Sequence, residues 1–170
     1  DAVPSHIPVS AKMRLGYMDR NFTLENAHAI EDAGASWLTV HARTKAEGYT
    51  PPAYWDQLKP IREALKINVI ANGEIWNNND AKQCQIESGC KDLMIGRGAV
   101  TTPDITQCIR QNTNEPLLEW NELLALQIRF LNGSYKKEMN MVGRYKQWLG
   151  MMSKHYHEAK ELWGQVKRLK

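Results

Sequence analysis

A parallel α/β fold is what the sequence predicts, on three observations. Val69-Ile70-Ala71 and Leu93-Met94-Ile95 are short apolar runs of the kind that fills a strand buried on both faces. Each ends in glycine-containing polar residues, Asn72-Gly73-Glu74 and Gly96-Arg97-Gly98, after which helical spacing resumes. Two further strand-like runs, Ile7 to Leu15 and Trp37 to His41, precede them in the same alternation with helices. Strands and helices alternating in this way belong to parallel sheets. The two glycine loops lie about 24 residues apart, which fits the last two units of a (β/α)8 barrel, where a phosphate commonly sits between the loops after strands seven and eight. Only four strands are present, so the expected fold is the second half of such a TIM barrel, or else an open sheet.

The elements follow in order. Ile7 to Leu15 alternates as a strand and delivers Lys12 and Arg14 just before the turn at Gly16. Thr23 is expected to cap a helix that carries Leu24, Ala27, Ile30 and Ala33 on one face and stops at Gly34. The strand from Trp37 has His41 at its outlet, and a long loop through Gly48 and Pro52 leads to a helix from about Trp55 to Leu65. The strand ending at Asn72-Gly73, a helix from about Asn79 to Ser88 and the strand ending at Gly96-Arg97 come next. Beyond Pro103 a helix runs to about Asn112, and Asn112 to Pro116 reads as a linker. Helical apolar spacing then covers Leu117 to Leu131, Met139 to His155 and Tyr156 to Leu169, with Gly133-Ser134 between the first two, which predicts a small all-helical module. The expected domains are residues 1–112 and 113–170.

A 42% hydrophobic content in 170 residues supports a real core, and no apolar run approaches membrane-spanning length. A soluble, cytoplasmic protein with neither membrane nor metal partner is the expectation. Cys84, Cys90 and Cys108 are odd in number and lack metal-ligand spacing, so they are expected to be buried free thiols. The net charge of +3 is unevenly placed: from Arg129 onward ten Lys or Arg face only Glu138, Glu158 and Glu161. Such a tail is either a polyanion surface or a solvated helical face.

The chemistry-bearing residues cluster at the strand outlets. Gly73, Gly96 and Gly98 let backbone N–H groups approach an anion, and Arg97 adds a guanidinium matched to a phosphate. Ordinary tight turns would use the same glycines. His41 alone reads as readily as a satisfied histidine at a strand end, and Arg43 as the structural partner of a carboxylate.

These strings together resemble a known family. Val9-Ser10-Ala11-Lys12-Met13-Arg14-Leu15-Gly16, Val40-His41-Ala42-Arg43-Thr44-Lys45, Ala46-Glu47-Gly48-Tyr49, Val69 to Trp76 and Met94 to Ala99 look like the C-terminal half of the barrel in tRNA-dihydrouridine synthases. Gly143-Arg144-Tyr145-Lys146-Gln147-Trp148-Leu149 resembles the helical tRNA-recognition domain of the C subfamily, which modifies the D-loop uridine at position 16. The resemblance implies NADPH-dependent reduction of a tRNA uridine by way of bound FMN. It implies that Lys12 lies against the flavin's pyrimidine edge, that His41 lies near the ring or its ribityl chain, and that Asn72, Gly73, Glu74, Gly96 and Arg97 hold the phosphate. Tyr49, Arg144, Lys146 and Lys167 match positions that contact tRNA. Arg144 and Lys146 are two apart and diverge by about 200° on an ideal helix, so they would grip two sides of a bent RNA.

The family's Cys-Gly-x-Pro motif, whose cysteine donates a proton to the uracil, does not occur in this sequence, so no catalytic residue is assigned. The chain is therefore expected to be a fragment running from the fifth strand onward, inactive by itself and monomeric in its full-length form. Two other classes compete with the flavin enzyme. One is a non-catalytic RNA-binding module, which a yellow, flavin-absorbing preparation would count against; the other is a flavin oxidoreductase acting on a small molecule, which tight tRNA binding would count against.

Overall fold

The computed structural model describes residues 3–133 and 141–168. Contacts divide the chain into two units, Asp1–Gly96 and Arg97–Lys170.

The first unit is a four-stranded sheet with helices in the crossovers. Strands β1 (Ser10–Gly16), β2 (Trp37–Thr44), β3 (Asn68–Asn72) and β4 (Asp92–Met94) lie in the order β1-β2-β3-β4, and every pairing is parallel. Between them run α1 (Thr23–Asp32), a 3₁₀ turn (Trp55–Leu58) continuing into α2 (Lys59–Ala64), and α3 (Asn78–Ser88). Register explains which side chains share a face. Ala11, Leu38 and Val69 align across one row and Met13, Val40, Ala71 and Leu93 across another. On β2 and β3 these residues are buried, each contributing roughly 1.5–3 kcal/mol where a whole Val or Leu side chain leaves water. The intervening rows, Lys12-Thr39-Ile70-Asp92 and Arg14-His41-Asn72-Met94, occupy the opposite face.

Several local expectations are corrected. β1 begins at Ser10, not Ile7, because Ile7 N–H turns back to Pro4 O and Pro8 has no N–H to give. Thr23 is the first residue of α1 rather than its cap: its hydroxyl donates to Leu15 O and to Arg20 O, tying the helix start to the end of β1. The expected helix from Trp55 opens as a 3₁₀ turn, and Pro60 then sits in the first turn of α2 where its missing N–H costs nothing. α3 is capped by Asn77, whose side chain accepts from Asp80 N, and ends at Gly89 in the left-handed region.

The described elements of the second unit are the helices α4 (Arg97–Thr101), α5 (Ile105–Arg110), α6 (Trp120–Asn132), α7 (Met141–Met152) and α8 (His157–Val166), joined by turns and irregular segments. Residues 139, 140 and 169 of the expected helices, and Ser134 between them, lie outside the described residues. α6 starts at Trp120 rather than Leu117 because Glu119 and Glu122 form a reciprocal capping box there. Leu123, Leu149, Met152, Tyr156 and Ala159 form the core, with Trp120, Trp148 and Trp163 packed around it. Asp104 clamps the linker, its Oδ2 accepting from Leu117 N at 2.6 Å and Leu118 N at 2.9 Å. Among the described residues no helix is long and apolar enough to cross a membrane.

Candidate functional site

The parallel sheet carries its polar face at the C-terminal ends of the strands. Arg14, His41, Asn72 and Met94 are register neighbours across all four strands, so the side chains singled out in the sequence on three different strands fall into one row. Lys12 lies one row below, beside Thr39. Its ammonium is held below the ordinary lysine value, first by desolvation against the sheet and next by the Arg14 guanidinium, with Tyr49 working the other way. A bound anion would oppose both effects by favouring the charged ammonium.

His41 is only 5% exposed, and the reason is Gly73. Gly73 has φ +123°, and a Cβ there would stand 2.9 Å from His41 Cδ2, so only glycine lets the imidazole lie against this turn. Trp55 Nε1 donates to Gly73 O at 2.8 Å and fixes the same turn from the preceding crossover. Asn72 Nδ2 donates to Met94 O at 2.7 Å, joining the end of β3 to the end of β4.

Glu74 shows a division the sequence did not reveal. Its backbone turns with φ +52°, while its side chain points into the protein. Oε1 accepts from Arg43 Nη1 at 3.2 Å and lies 3.1 Å from Arg43 Nη2, and Oε2 accepts from Trp76 Nε1 at 3.1 Å. Arg43 has no solvent exposure, and its Nε also donates to Pro52 O. The structural reading of Arg43 thus finds its carboxylate, and any contact of Glu74 with an anion falls to its backbone N–H.

Tyr49 stands on the loop after β2 with its residue 63% exposed. Its ring centroid is 6.0 Å from that of His41 and 5.2 Å from Arg14 Cζ. Sequence reasoning missed the partners that shape this loop, because they are remote in sequence. Arg20 pairs with Glu47 Oε1 at 2.5 Å and stacks 4.1 Å from the Tyr54 ring centroid. Glu47 Oε2 accepts from Thr44 N at 2.7 Å. Burial raises the Glu47 carboxyl, but these hydrogen bonds and the guanidinium outweigh it and hold it below the usual value.

In the second unit, Gly96 having closed the first, Arg97 opens α4 and its carbonyl accepts from Thr101 Oγ1. On α7, Tyr145 packs on the helical core and donates to Gln127 Oε1 at 2.8 Å. That anchor turns Arg144 and Lys146 to either side of an inward-facing residue, Arg144 exposed and Lys146 half-buried. Lys167, just past α8, is exposed. Cys84, Cys90 and Cys108 are free and buried. Burial, with Cys90 next, pushes the Cys84 thiol up to about 12, and burial also raises Cys90 and Cys108.

With this geometry in place, comparison with known proteins is decisive. The dihydrouridine synthase (Dus) family model matches residues 1–169. The chain belongs to the dihydrouridine synthase family. It is 43% identical over 168 residues to the tRNA-dihydrouridine(16) synthase of Shewanella oneidensis, covering 98% of this chain and 53% of that protein. It is 43% identical over 174 residues to that of Neisseria meningitidis serogroup B, covering 99% of this chain and 52% of the relative. Against the Yersinia pestis protein of the same name the identity is 40% over 172 residues, covering 99% and 54%. The chain thus spans about half the length of the curated relatives it matches. In this member of the family the polar row on the sheet and the basic residues of α7 fall in separate units, each with its own buried residues.

Proposed function

We propose that the protein reduces a uridine of the tRNA D loop, at position 16, to dihydrouridine, with NADPH as reductant and FMN held at the polar face of the sheet. The observation that carries this reading is the register row Arg14-His41-Asn72, with Lys12 beneath it, on the sheet of a family member. The name shared by the relatives supplies the substrate. On this reading the sheet is the second half of a (β/α)8 barrel in residues 1–112, and residues 113–170 are the tRNA-recognition domain.

The residues suit an anionic cofactor. Gly73 turns with φ +123° at the outlet of β3, and Lys12 supplies a cation whose charged form an anion would favour. FMN, when bound, supplies the hydride chemistry. Lys12 holds positive charge at the edge of the ring, and His41 is oriented by the Gly73 turn to meet the ring or its ribityl chain. Asn72, Gly73 and Glu74, the last through its backbone, bind the phosphate together with Gly96 and Arg97. Tyr49, Arg144, Lys146 and Lys167 bind tRNA, which is recognised by folded shape and phosphates while the target base leaves its stack. The buried thiols, with their raised pKa values, have structural roles. The reading also places the protein in the cytoplasm and makes its full-length form a monomer.

The test is incubation of the intact protein with an unmodified tRNA transcript, FMN and NADPH, followed by mapping of reduced uridines. Dihydrouridine at position 16 is the expected product. Retained flavin with no reduced uridine, or reduction confined to another loop, would overturn the assignment.

A further inference from the structure

We propose that Arg14 is a positioning residue that sets the pose of Tyr49, acting on RNA through that ring without touching RNA itself. The inference rests on the reading of Tyr49 as an RNA contact. Arg14 is the last residue of β1 in regular register with β2, since the pairing shifts between Arg14 and Gly16. From there its side chain reaches over the loop that follows β2. Nη1 donates both to Thr44 O at 2.9 Å and to Gly48 O at 3.0 Å, so one nitrogen spans the two ends of the turn before Tyr49.

The rest of the turn is held at its beginning. Lys45 N donates to Gly16 O and Ala46 N to Tyr17 O, while Glu47 is tied to Thr44 and Arg20. Arg14 reaches the other end, where Gly48 takes φ +62° and the chain passes into Tyr49. The Tyr49 ring is largely exposed, and besides the tilted His41 ring it meets the Arg14 guanidinium, 5.2 Å from its centroid. A planar guanidinium can bridge two carbonyls and stack on a ring together, whereas a lysine ammonium keeps the charge without that geometry.

The experiment compares Arg14→Lys, Arg14→Ala, Tyr49→Ala and the Arg14→Lys/Tyr49→Ala double variant in the intact protein. Binding of unmodified tRNA is measured at two salt concentrations, and amide exchange is followed across residues 37–50. Tyr49→Ala is expected to weaken binding about fivefold to a hundredfold, the range for loss of one base–aromatic stack. Arg14→Lys should reproduce most of that loss with an unchanged salt slope, and the double variant should bind within about twofold of Tyr49→Ala. Exchange should quicken at residues 45–50 in Arg14→Lys and stay slow across β2. Parent-like binding by Arg14→Lys, or losses that multiply in the double variant, would overturn the proposal. So would a salt slope lowered by about one in Arg14→Ala, the sign of a direct phosphate contact, or a loss of protection throughout β2. If Tyr49→Ala binds as the parent does, the role of Tyr49 falls, and the exchange at residues 45–50 decides whether Arg14 holds the loop.

Discussion

The sheet unit and the helical unit hold their functional residues by different physics. At the sheet rim several groups are locked by one another: Arg43 by Glu74 and the Pro52 carbonyl, Glu74 by Trp76, the Gly73 carbonyl by Trp55, Glu47 by Arg20 and Thr44. On the helices the order lies inside, in Leu123, Leu149 and Met152, and cations such as Arg144 and Lys167 extend outward. Interlocking suits a site that must place one ring against one base, whereas a solvated cationic surface suits a polyanion read by charge and shape. Rim substitutions should therefore be costly and coupled, and helix-surface substitutions small and salt-dependent.

The largest effect is expected at the Arg43–Glu74 pair. Arg43→Ala leaves a carboxylate largely buried beside Trp76 and should destabilise the sheet unit by about 3–5 kcal/mol, read from denaturant unfolding. Arg43→Met combined with Glu74→Gln should recover much of that loss. If it does not, the rim is not interlocked through this pair. Leu149→Ala is the matching test in the helical unit: its fully buried side chain makes a loss of about 2–5 kcal/mol the expected result, with flavin retention unchanged.

Much of this was legible in the sequence because it depends on local pattern. The β-branched runs at Val69 and Trp37 became strands, and the glycines within the two phosphate-like loops marked the outlets of β3 and β4. The alternation of side chains then carried Lys12 and Arg14, and His41 and Asn72, to one face without further information. The five-residue helix α4 was not legible, since Arg97-Gly98-Ala99-Val100-Thr101 has too few residues for a periodicity and carries a glycine. Nor was the inward turn of the Glu74 carboxylate, which depends on Arg43, 31 residues away in the chain. The Asp104 clamp and the Arg20–Glu47 pair are likewise contacts between segments that no local pattern joins.

Smaller effects refine the contrast. Arg97→Ala should weaken FMN retention about tenfold to a hundredfold, equivalent to roughly 1.5–3 kcal/mol for a charge-assisted contact. Unchanged flavin occupancy after dialysis would remove Arg97 from the phosphate site. The smallest effect concerns Glu47. Its folded-state value lies below the ordinary carboxyl value of 4.5, so its contribution is fully present above that pH and fades as pH falls through the lower folded value. Glu47→Gln should therefore flatten the acid side of the stability profile, and an unaltered profile would show that Arg20 and Thr44 do not hold the carboxylate in solution.

The claim that the two units divide the work is tested most directly by titrating the 170-residue chain against unmodified tRNA at low and at physiological salt. The account predicts binding that weakens by one to a few decades as salt rises, the response to a handful of phosphate contacts. Absent or salt-independent binding would contradict the role given to the helices, and with it the division of work between the two units.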